Sequence, residues 1–301
     1  MIAVPQEFSV AAGLFPYAAK EFARPAGTLR YLDEGAGPPV VMVHGNPTWS
    51  FHFRRLVAEL SRDHRCVVPD HLGCGRSDHP AEGQYGFRLA DRVDDLSALL
   101  EAIGATKEVT LILHDWGGMI GMAWAARHAE RVRRIVLLNT AAFPLPPGVR
   151  LPRTLAWGRD TALGAWLIVR HNAFCRAAMR WCAVRPMSAE VRAAYLAPYS
   201  TPERRRAVLK FVQDIPLGPR DASWGLVQET AAALERFRHT PVSICWGAKD
   251  FVFHDGFLAE WRRRWPHAEI QRYADAGHFV LEDAADRVVE RVRGFVDRHP
   301  R

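Results

Sequence analysis

The stretch LILHDWGGMIG, residues 111 to 121, constrains the fold of this chain more than any other segment. The apolar run Val109–Leu113 predicts a buried strand, and the small and apolar residues of Met119–Arg127 predict a buried helix soon after it. In many enzymes a corner of this kind carries Gly-x-Ser-x-Gly and presents the serine as a nucleophile. Here Asp115 stands at the serine position and Leu113 replaces the first glycine. The corner therefore predicts a carboxylate above the carboxyl edge of a sheet, although an N-capping aspartate would have the same sequence.

Strands and helices alternate on both sides of this corner, which predicts an α/β fold with a mostly parallel sheet covered by helices on both faces. Further buried strands are predicted at Pro39–His44, Cys66–Pro69, Arg134–Leu138, Val242–Trp246 and Glu269–Tyr273. An apolar stripe predicts a helix at Arg88–Ile103 that Gly104 ends, and Asp283 is predicted to cap the last helix.

A helical insert interrupts this α/β pattern. A proline-rich linker follows Asn139, and the next 85 or so residues are helical in pattern and rich in arginine and tryptophan. The predicted domains are residues 1–144 as the first part of the core, 145–235 as a helical cap insert, and 236–301 as the second part of the core.

The charge of the chain is concentrated in the insert. Residues 151–221 carry 12 basic and 5 acidic side chains, a surplus equal to the net charge of +7. This surplus suits either a solvated helical surface or a docking face for a protein partner, and no motif predicts nucleic-acid binding. No apolar run is long enough for a membrane span and no signal peptide is visible, which predicts a cytoplasmic protein.

Two further residues place acid–base groups near the corner. His278 follows the last strand and Asp250 follows the strand before it. With Asp115, they give the chain order nucleophile, acid, histidine, which is the order of the α/β-hydrolase triad. The sequence therefore predicts Asp115, Asp250 and His278 as the catalytic residues. The five cysteines form no CxxC pair and are predicted to be small core residues, so no metal site and no cofactor are expected.

The segment His44–Pro47 (HGNP) supplies hydrogen-bond donors. It follows the first buried strand, where hydrolases of this kind place an oxyanion-hole amide, and Trp116 would supply the second amide. The Asn46 carboxamide and the Trp116 indole N–H are expected to donate into the same pocket and to hold a leaving anion. A carboxylate nucleophile is already ionised and forms an ester with an electrophilic carbon, for which halides, epoxides and strained lactones are suitable substrates. His278 would then activate water against that ester.

Taken together, these motifs resemble the α/β-hydrolase superfamily over nearly the whole chain, and the haloalkane dehalogenase branch in particular. The matching residues are HGNPTWS (44 to 50), VPDHLGCGRSD (68 to 78), HDWGG (114 to 118), WGAKD (246 to 250) and GHF (277 to 279). The resemblance implies the α/β-hydrolase fold, with Asp115 as nucleophile, His278 as base, Asp250 as acid, and Asn46 with Trp116 as the leaving-group pair. One dehalogenase subgroup places its acid where this chain has Asn139-Thr140, which offers no carboxylate.

Other segments look like the β-lactone decarboxylases of bacterial long-chain olefin biosynthesis. These are LNTAAFPLPP (138 to 147), RVDDLSALL (92 to 100), FVQDIPLGP (211 to 219) and HFVLED (278 to 283). This resemblance implies conversion of a hydrophobic cis-β-lactone with two alkyl chains into a cis-alkene and carbon dioxide, and assembly with other olefin-biosynthesis enzymes, with the basic cap as the docking face. Haloalkane dehalogenase and epoxide hydrolase remain the alternatives. Attack by Asp115 on the lactone carbonyl and on its alkyl carbon are both open.

The resemblance also implies a lid with an apolar cavity. Residues that would line it, or pack in the core of the insert, are Trp157, Trp166, Leu167, Phe174 and Trp181. Tyr195 and Tyr199 also lie in the insert and are the residues that an epoxide hydrolase would use to protonate its substrate.

Overall fold

An eight-stranded sheet organises the chain in a computed structural model that describes residue 8 and residues 10–300. The strands are β1 (Lys20–Arg24), β2 (Gly27–Glu34), β3 (Pro39–Val43), β4 (Arg65–Asp70), β5 (Val109–Asp115), β6 (Val132–Thr140), β7 (Val242–Gly247) and β8 (Glu269–Tyr273). Their spatial order is β1-β2-β4-β3-β5-β6-β7-β8. The pairs β1/β2 and β2/β4 are antiparallel and all other pairs are parallel, which confirms a mostly parallel sheet.

Helices cover both faces of this sheet. They are α1 (Arg54–Leu60), α2 (Leu89–Ala102), α3 (Trp116–Arg127), α4 (Arg153–Asp160), α5 (Ala162–His171), α6 (Ala173–Trp181), α7 (Ala189–Leu196), α8 (Arg206–Gln213), α9 (Trp224–Ala233), α10 (Asp255–Arg264), α11 (Val280–Asp283) and α12 (Ala285–Arg298). None of the helices within the described part of the chain is long and apolar enough to cross a membrane.

Side chains of the central strands alternate between two hydrophobic clusters. In β3, Val41 and Val43 pack with residues of α2 and α3, whereas Val40 and Met42 pack with residues of α1 and α12. All four are fully buried, so the sheet is covered on both faces at this central strand. Burial on both faces explains why the central strands are continuous apolar runs that can be predicted from the sequence. Strands β1 and β2 lie at one side of the sheet and contain exposed or half-buried residues, so the sequence does not predict them.

The insert is helical, as predicted: α4 to α9 lie between β6 and β7. It has a small core of its own, in which Ile168, Cys175, Tyr199, Val208 and Val212 are buried together. The division of the chain at residues 144 and 235 stays a prediction. All five cysteines are free and buried, which confirms their role as core residues.

Asp283 does not cap the last helix, so that prediction was wrong. Its carboxylate accepts hydrogen bonds from the backbone N–H groups of Val184, Arg185 and Gly277 at 2.8 to 2.9 Å. The carboxylate is therefore occupied by three backbone amides, two of them in the insert, and Asp283 links the cap to the loop that carries His278.

Candidate active site

The backbone turns sharply at Asp115, where β5 ends and α3 begins. Asp115 has φ 53° and ψ −127°, a conformation that costs a non-glycine residue about 1–3 kcal/mol. The hydroxyl of Thr140 at the end of β6 donates to the Asp115 carbonyl and helps to hold this turn. Close approach of α3 requires glycine, because a Cβ on Gly118 would collide with the Thr140 hydroxyl. The Asp115 side chain makes no capping hydrogen bond to α3, so it is not used as an N-cap.

The Asp115 carboxylate is buried between the HGNP segment and His278. Its Oδ1 accepts a 2.7 Å hydrogen bond from the backbone N–H of Asn46, and its Oδ2 lies 3.4 Å from Nε2 of His278. The preceding residue, Gly45, leaves the room for this arrangement, since a Cβ there would overlap the carboxylate itself. One oxygen is thus held by a backbone amide, while the other lies beside the histidine.

His278 is oriented by Asp250, as the chain order predicts. The Nδ1 atom of His278 lies 2.7 Å from Oδ2 of Asp250 and donates to it. The other carboxylate oxygen accepts the N–H groups of Val252 at 2.7 Å and Phe253 at 3.0 Å. Asn139, at the end of β6, donates from Nδ2 to the same Oδ2 atom at 3.0 Å. The position that carries an acid in one dehalogenase subgroup therefore supports the Asp250 carboxylate in this chain.

The electrostatics of the cluster favour a buried ion pair. Burial acts to raise the pKa of Asp115, but His278 outweighs it and holds that pKa below its ordinary value. Burial acts to lower the pKa of His278, but the charges and hydrogen bonds of Asp250 and Asp115 raise it to about 10. With an ionised Asp115, His278 is therefore an imidazolium at neutral pH, and it loses part of that stabilisation once Asp115 is esterified.

Two further buried histidines, His114 and His52, lie near His278, and the sequence patterns do not identify them. The Nε2 atom of His114 donates to the His278 carbonyl at 2.9 Å, and the ring of His52 lies 4.3 Å from that of His114. Burial lowers the pKa of His114 to about 3, so it remains a neutral donor. His52 in turn contacts the Tyr195 hydroxyl at 2.8 Å. His114 thus fixes the backbone that carries His278, and its place beside Asp115 in the sequence was the signal available.

Asn46 and Trp116 reach the cavity in front of Asp115, where the sequence predicts them. The indole Nε1 of Trp116 has no acceptor among the described residues, and its ring packs 5.4 Å from that of Phe211. The Asn46 carboxamide donates from Nδ2 to the Val208 carbonyl at 3.1 Å, while its Oδ1 is buried without a partner in the described chain. Trp116 thus has a free donor, and Asn46 keeps one N–H of its amide for a ligand.

The cavity has a volume of about 440 Å³, and Asp115 and His278 are among the residues that line it. Of the five insert residues predicted to line it, Trp157, Leu167, Phe174 and Trp181 do so. Trp166 does not; its side chain is on the solvent side of α5, half exposed. Tyr195 and Tyr199 are fully buried outside the cavity, where Tyr199 donates to the Thr48 carbonyl.

Chemically, this arrangement supplies an ionised carboxylate, a protonated histidine and a donor pair at one end of an apolar cavity. It can attack an electrophilic carbon and stabilise the anion that departs. No group of three or more histidine, cysteine or acidic side chains among the described residues could hold a metal ion.

The chain matches known proteins along most of its length. The model of the alpha/beta hydrolase fold family matches residues 38–285. A protein of Shewanella oneidensis named cis-3-alkyl-4-alkyloxetan-2-one decarboxylase is 48% identical, over 94% of this chain and 89% of that protein. One of the same name from Xanthomonas campestris pv. campestris is 47% identical, over 92% of this chain and 95% of that protein.

Haloalkane dehalogenases are similar at a lower level. Haloalkane dehalogenase 2 of Mycobacterium bovis is 31% identical, over 91% of this chain and 93% of that protein. Among solved structures, the haloalkane dehalogenase DbeA from Bradyrhizobium elkani superimposes with a TM-score of 0.84 at 25% identity, covering 92% of this chain and 97% of that one.

Proposed function

The chain belongs to the α/β-hydrolase fold family, and on that basis we propose that it decarboxylates cis-β-lactones with two alkyl chains, releasing a cis-alkene and carbon dioxide. The observation that carries the proposal is the difference in identity. Two relatives named for this lactone are 48% and 47% identical over nearly the whole chain, against 31% for a haloalkane dehalogenase. An oxetan-2-one is a β-lactone, so these names state both the electrophile and the reaction.

The cavity supports a substrate of this shape. A volume of about 440 Å³ lies within the range of small-molecule sites, and its walls are mainly apolar side chains of the insert. Asn46, Asp115, Trp116 and His278 all line this cavity. The strained ring would therefore lie against these four residues, with the alkyl chains along the apolar walls.

We assign attack on the lactone to Oδ2 of Asp115, because Oδ1 is held by the Asn46 backbone N–H. This contact also favours the alkyl carbon over the carbonyl as the point of attack. An oxyanion formed on the lactone carbonyl would need that backbone amide, which the nucleophile itself occupies. Displacement at the alkyl carbon instead leaves the charge on a departing carboxylate, which the Asn46 carboxamide and Trp116 indole can receive.

The second step regenerates the enzyme without water. Attack forms a bond between Oδ2 and the alkyl carbon and breaks the ring C–O bond, so a free carboxylate is released next to the ester. Loss of carbon dioxide then places its electron pair between the two ring carbons and expels Asp115 as a carboxylate. His278, oriented by Asp250 at 2.7 Å, stabilises that carboxylate as it leaves.

Haloalkane dehalogenase is the second candidate function. The same nucleophile, donor pair and histidine would displace a halide, and the similarity to dehalogenases extends over nearly the whole chain. Epoxide hydrolysis is less well supported, because Tyr195 and Tyr199, which would protonate the epoxide, lie outside the cavity.

One paired assay tests the proposal. The protein is incubated with a synthetic cis-β-lactone and, separately, with a bromoalkane; alkene is measured by gas chromatography and bromide by its release. We expect cis-alkene from the lactone, abolished in Asp115→Ala, and only trace bromide. Efficient bromide release without alkene over a range of chain lengths would establish the dehalogenase instead.

Assembly with the enzymes that supply the lactone, and a cytoplasmic location, are also part of this proposal. The resemblance to olefin-forming enzymes supports the assembly. Co-purification from the native host and cell fractionation would test them.

A further inference from the structure

Large hydrophobic side chains are exposed mainly around the opening of the cavity. Those exposed in the described part of the chain are Trp157, Leu163, Trp166, Trp181, Val184 and Phe251. Three of them, Trp157, Trp181 and Phe251, also line the cavity while being 43%, 62% and 45% exposed. Exposed apolar residues grouped in this way mark an interaction site.

The outer side of α5 extends this patch. Leu163 and Trp166 are 57% and 50% exposed and are three residues apart, so they lie on one stripe of the helix. Gly164 and Leu167, each one residue further along, line the cavity. The exposed stripe therefore lies directly beside the stripe that faces the cavity. We call the exposed residues of α4, α5 and α6, together with Phe251, the mouth face.

Arginines accompany these apolar residues. Residues 150–185 contain seven arginines and one acidic residue, Asp160, which pairs with Arg159. Arg153 on α4 lies one helical turn from Trp157, and Arg176 and Arg180 flank the cavity-lining stripe of α6. None of these three, nor Arg150 or Arg170, forms an ion pair within the part of the chain that the structure describes. The mouth face is thus both apolar and cationic.

We propose that the mouth face docks on an anionic phospholipid surface. Tryptophan and arginine on neighbouring helices are the combination that binds the interface of such a surface, with apolar rings in the acyl boundary and guanidinium groups at the phosphates. Docked in this way, the cavity opens towards the acyl chains. A lactone with two alkyl chains would then enter from the lipid without crossing water. This entry route rests on the proposed function, whereas the docking itself does not.

The arrangement favours a lipid surface over a protein partner. The tryptophans and arginines are distributed over three short helices with the cavity opening among them. A fluid surface contacts all of them without shape complementarity and leaves the opening accessible to apolar molecules. A protein that covered the same residues would close the opening.

The test is co-sedimentation of the full chain with vesicles of phosphatidylcholine alone and of phosphatidylcholine with phosphatidylglycerol. The mouth-face variant is Arg153→Glu/Arg176→Glu/Arg180→Glu. Its control is Arg62→Glu/Lys107→Glu/Arg238→Glu, which changes the net charge equally. The control residues lie in loops that lead into β4, β5 and β7, at the sheet edge opposite Asp115. A second variant, Leu163→Ser/Trp166→Ser, tests the apolar contribution.

We expect binding to phosphatidylglycerol vesicles that weakens with salt and falls roughly tenfold or more in the mouth-face variant but not in its control. The Leu163→Ser/Trp166→Ser protein should also bind less. The proposal is overturned if the protein does not bind anionic vesicles at low salt, or if the control variant loses as much vesicle binding as the mouth-face variant. Binding of the mouth face to an acidic protein would not rescue it. Turnover of a short-chain, water-soluble lactone is measured in parallel, so failure of the proposed function is seen separately from failure of docking.

Discussion

The Oδ2 atom of Asp115 lies 3.4 Å from Nε2 of His278, so the two side chains titrate as a pair. Because the pKa of Asp115 is lowered and that of His278 is raised to about 10, the ion pair spans the neutral range. We predict that kcat for the lactone is constant through neutral pH and falls as His278 loses its proton, at or below a pH of about 10, because the imidazolium stabilises the Asp115 carboxylate as it leaves. A pH profile that instead rises up to this value would make neutral imidazole the active form and contradict the prediction.

The same pair affects stability in a defined direction. The pKa of His278 is higher in the folded protein than its ordinary value of 6.5, so its contribution is fully present below 6.5 and is lost as pH rises towards about 10. Thermal unfolding should show a decrease in Tm over this window. In His278→Gln, the part of this Tm decrease that comes from deprotonation of His278 should disappear.

Oxygen labelling distinguishes the two routes of attack. If Oδ2 attacks the alkyl carbon, the ring oxygen of the lactone leaves within carbon dioxide. Carbonyl attack followed by acyl transfer to the alkoxide would leave that oxygen on Asp115. We predict that a single turnover with ring-¹⁸O lactone places the label in carbon dioxide, measured by mass spectrometry. Label in the peptide that contains Asp115 would refute attack at the alkyl carbon.

Replacing His278 separates the two candidate reactions. In His278→Gln, a bromoalkane should alkylate Asp115 and the ester should persist, because its hydrolysis needs the histidine as a base. The ester formed from a lactone should instead decay to alkene, because its own carboxylate drives the loss of carbon dioxide. Intact-protein mass spectrometry over time checks both, with Asp115→Ala as the control that forms no ester. A lactone ester that is stable for hours would be incompatible with the proposed second step.

The donors in front of Asp115 should contribute to the rate rather than to folding. Trp116→Phe retains the ring but removes the N–H, and we predict a decrease in kcat of roughly 10²-fold. Asn46→Ala should act in the same direction. The matched control is Trp124→Phe on the same helix, because Trp124 is buried, has no hydrogen-bond partner for Nε1 among the described residues and does not line the cavity. Equal losses of kcat in Trp116→Phe and Trp124→Phe would show that only packing is affected.

We predict that activity requires glycine at position 45, because there is no room for a side chain next to the Asp115 carboxylate. In Gly45→Ala the added Cβ would overlap the Asp115 carboxylate, so the carboxylate must leave the Asn46 amide and activity should be largely lost. At Gly225 in α9, the same added group would have no atom of another described residue within 4 Å, apart from its chain neighbours and its own helix backbone. Gly225→Ala should therefore keep full activity and raise the free energy of unfolding by about 1 kcal/mol. Lactone turnover and urea unfolding of both variants provide the comparison.

The sequence predicts that three side chains come together, those of Asp115, Asp250 and His278, because their proximity follows from the topology of the sheet. Each follows or ends a strand, and the carboxyl ends of parallel strands meet at one edge of the sheet. Contacts that depend on side-chain direction could not be predicted. The sequence shows Asn139 only as a position without an acid, although its side chain supports Asp250, and it does not show that His114 supports the His278 backbone.

Two wrong predictions have the same origin. Asp283 stands in the sequence where a helix cap is expected, but it binds backbone amides of a distant segment. Trp166 is of a residue type expected in a cavity wall, but it lies on the outer stripe of α5. Local pattern gives the element on which a residue lies. Which neighbours the residue meets depends on how the insert packs, and that packing has no short-range signal.

The hydrogen bond from Asn46 to the carbonyl of Val208 joins the anion donor to helix α8 of the insert. Any outward movement of α8 that widens the cavity removes the acceptor that orients the carboxamide. Because the same helix lines the cavity through Val212, a wider cavity and an oriented Asn46 carboxamide exclude each other. An insert redesigned to open more readily for bulky chains would lose rate in proportion to the time that it stays open.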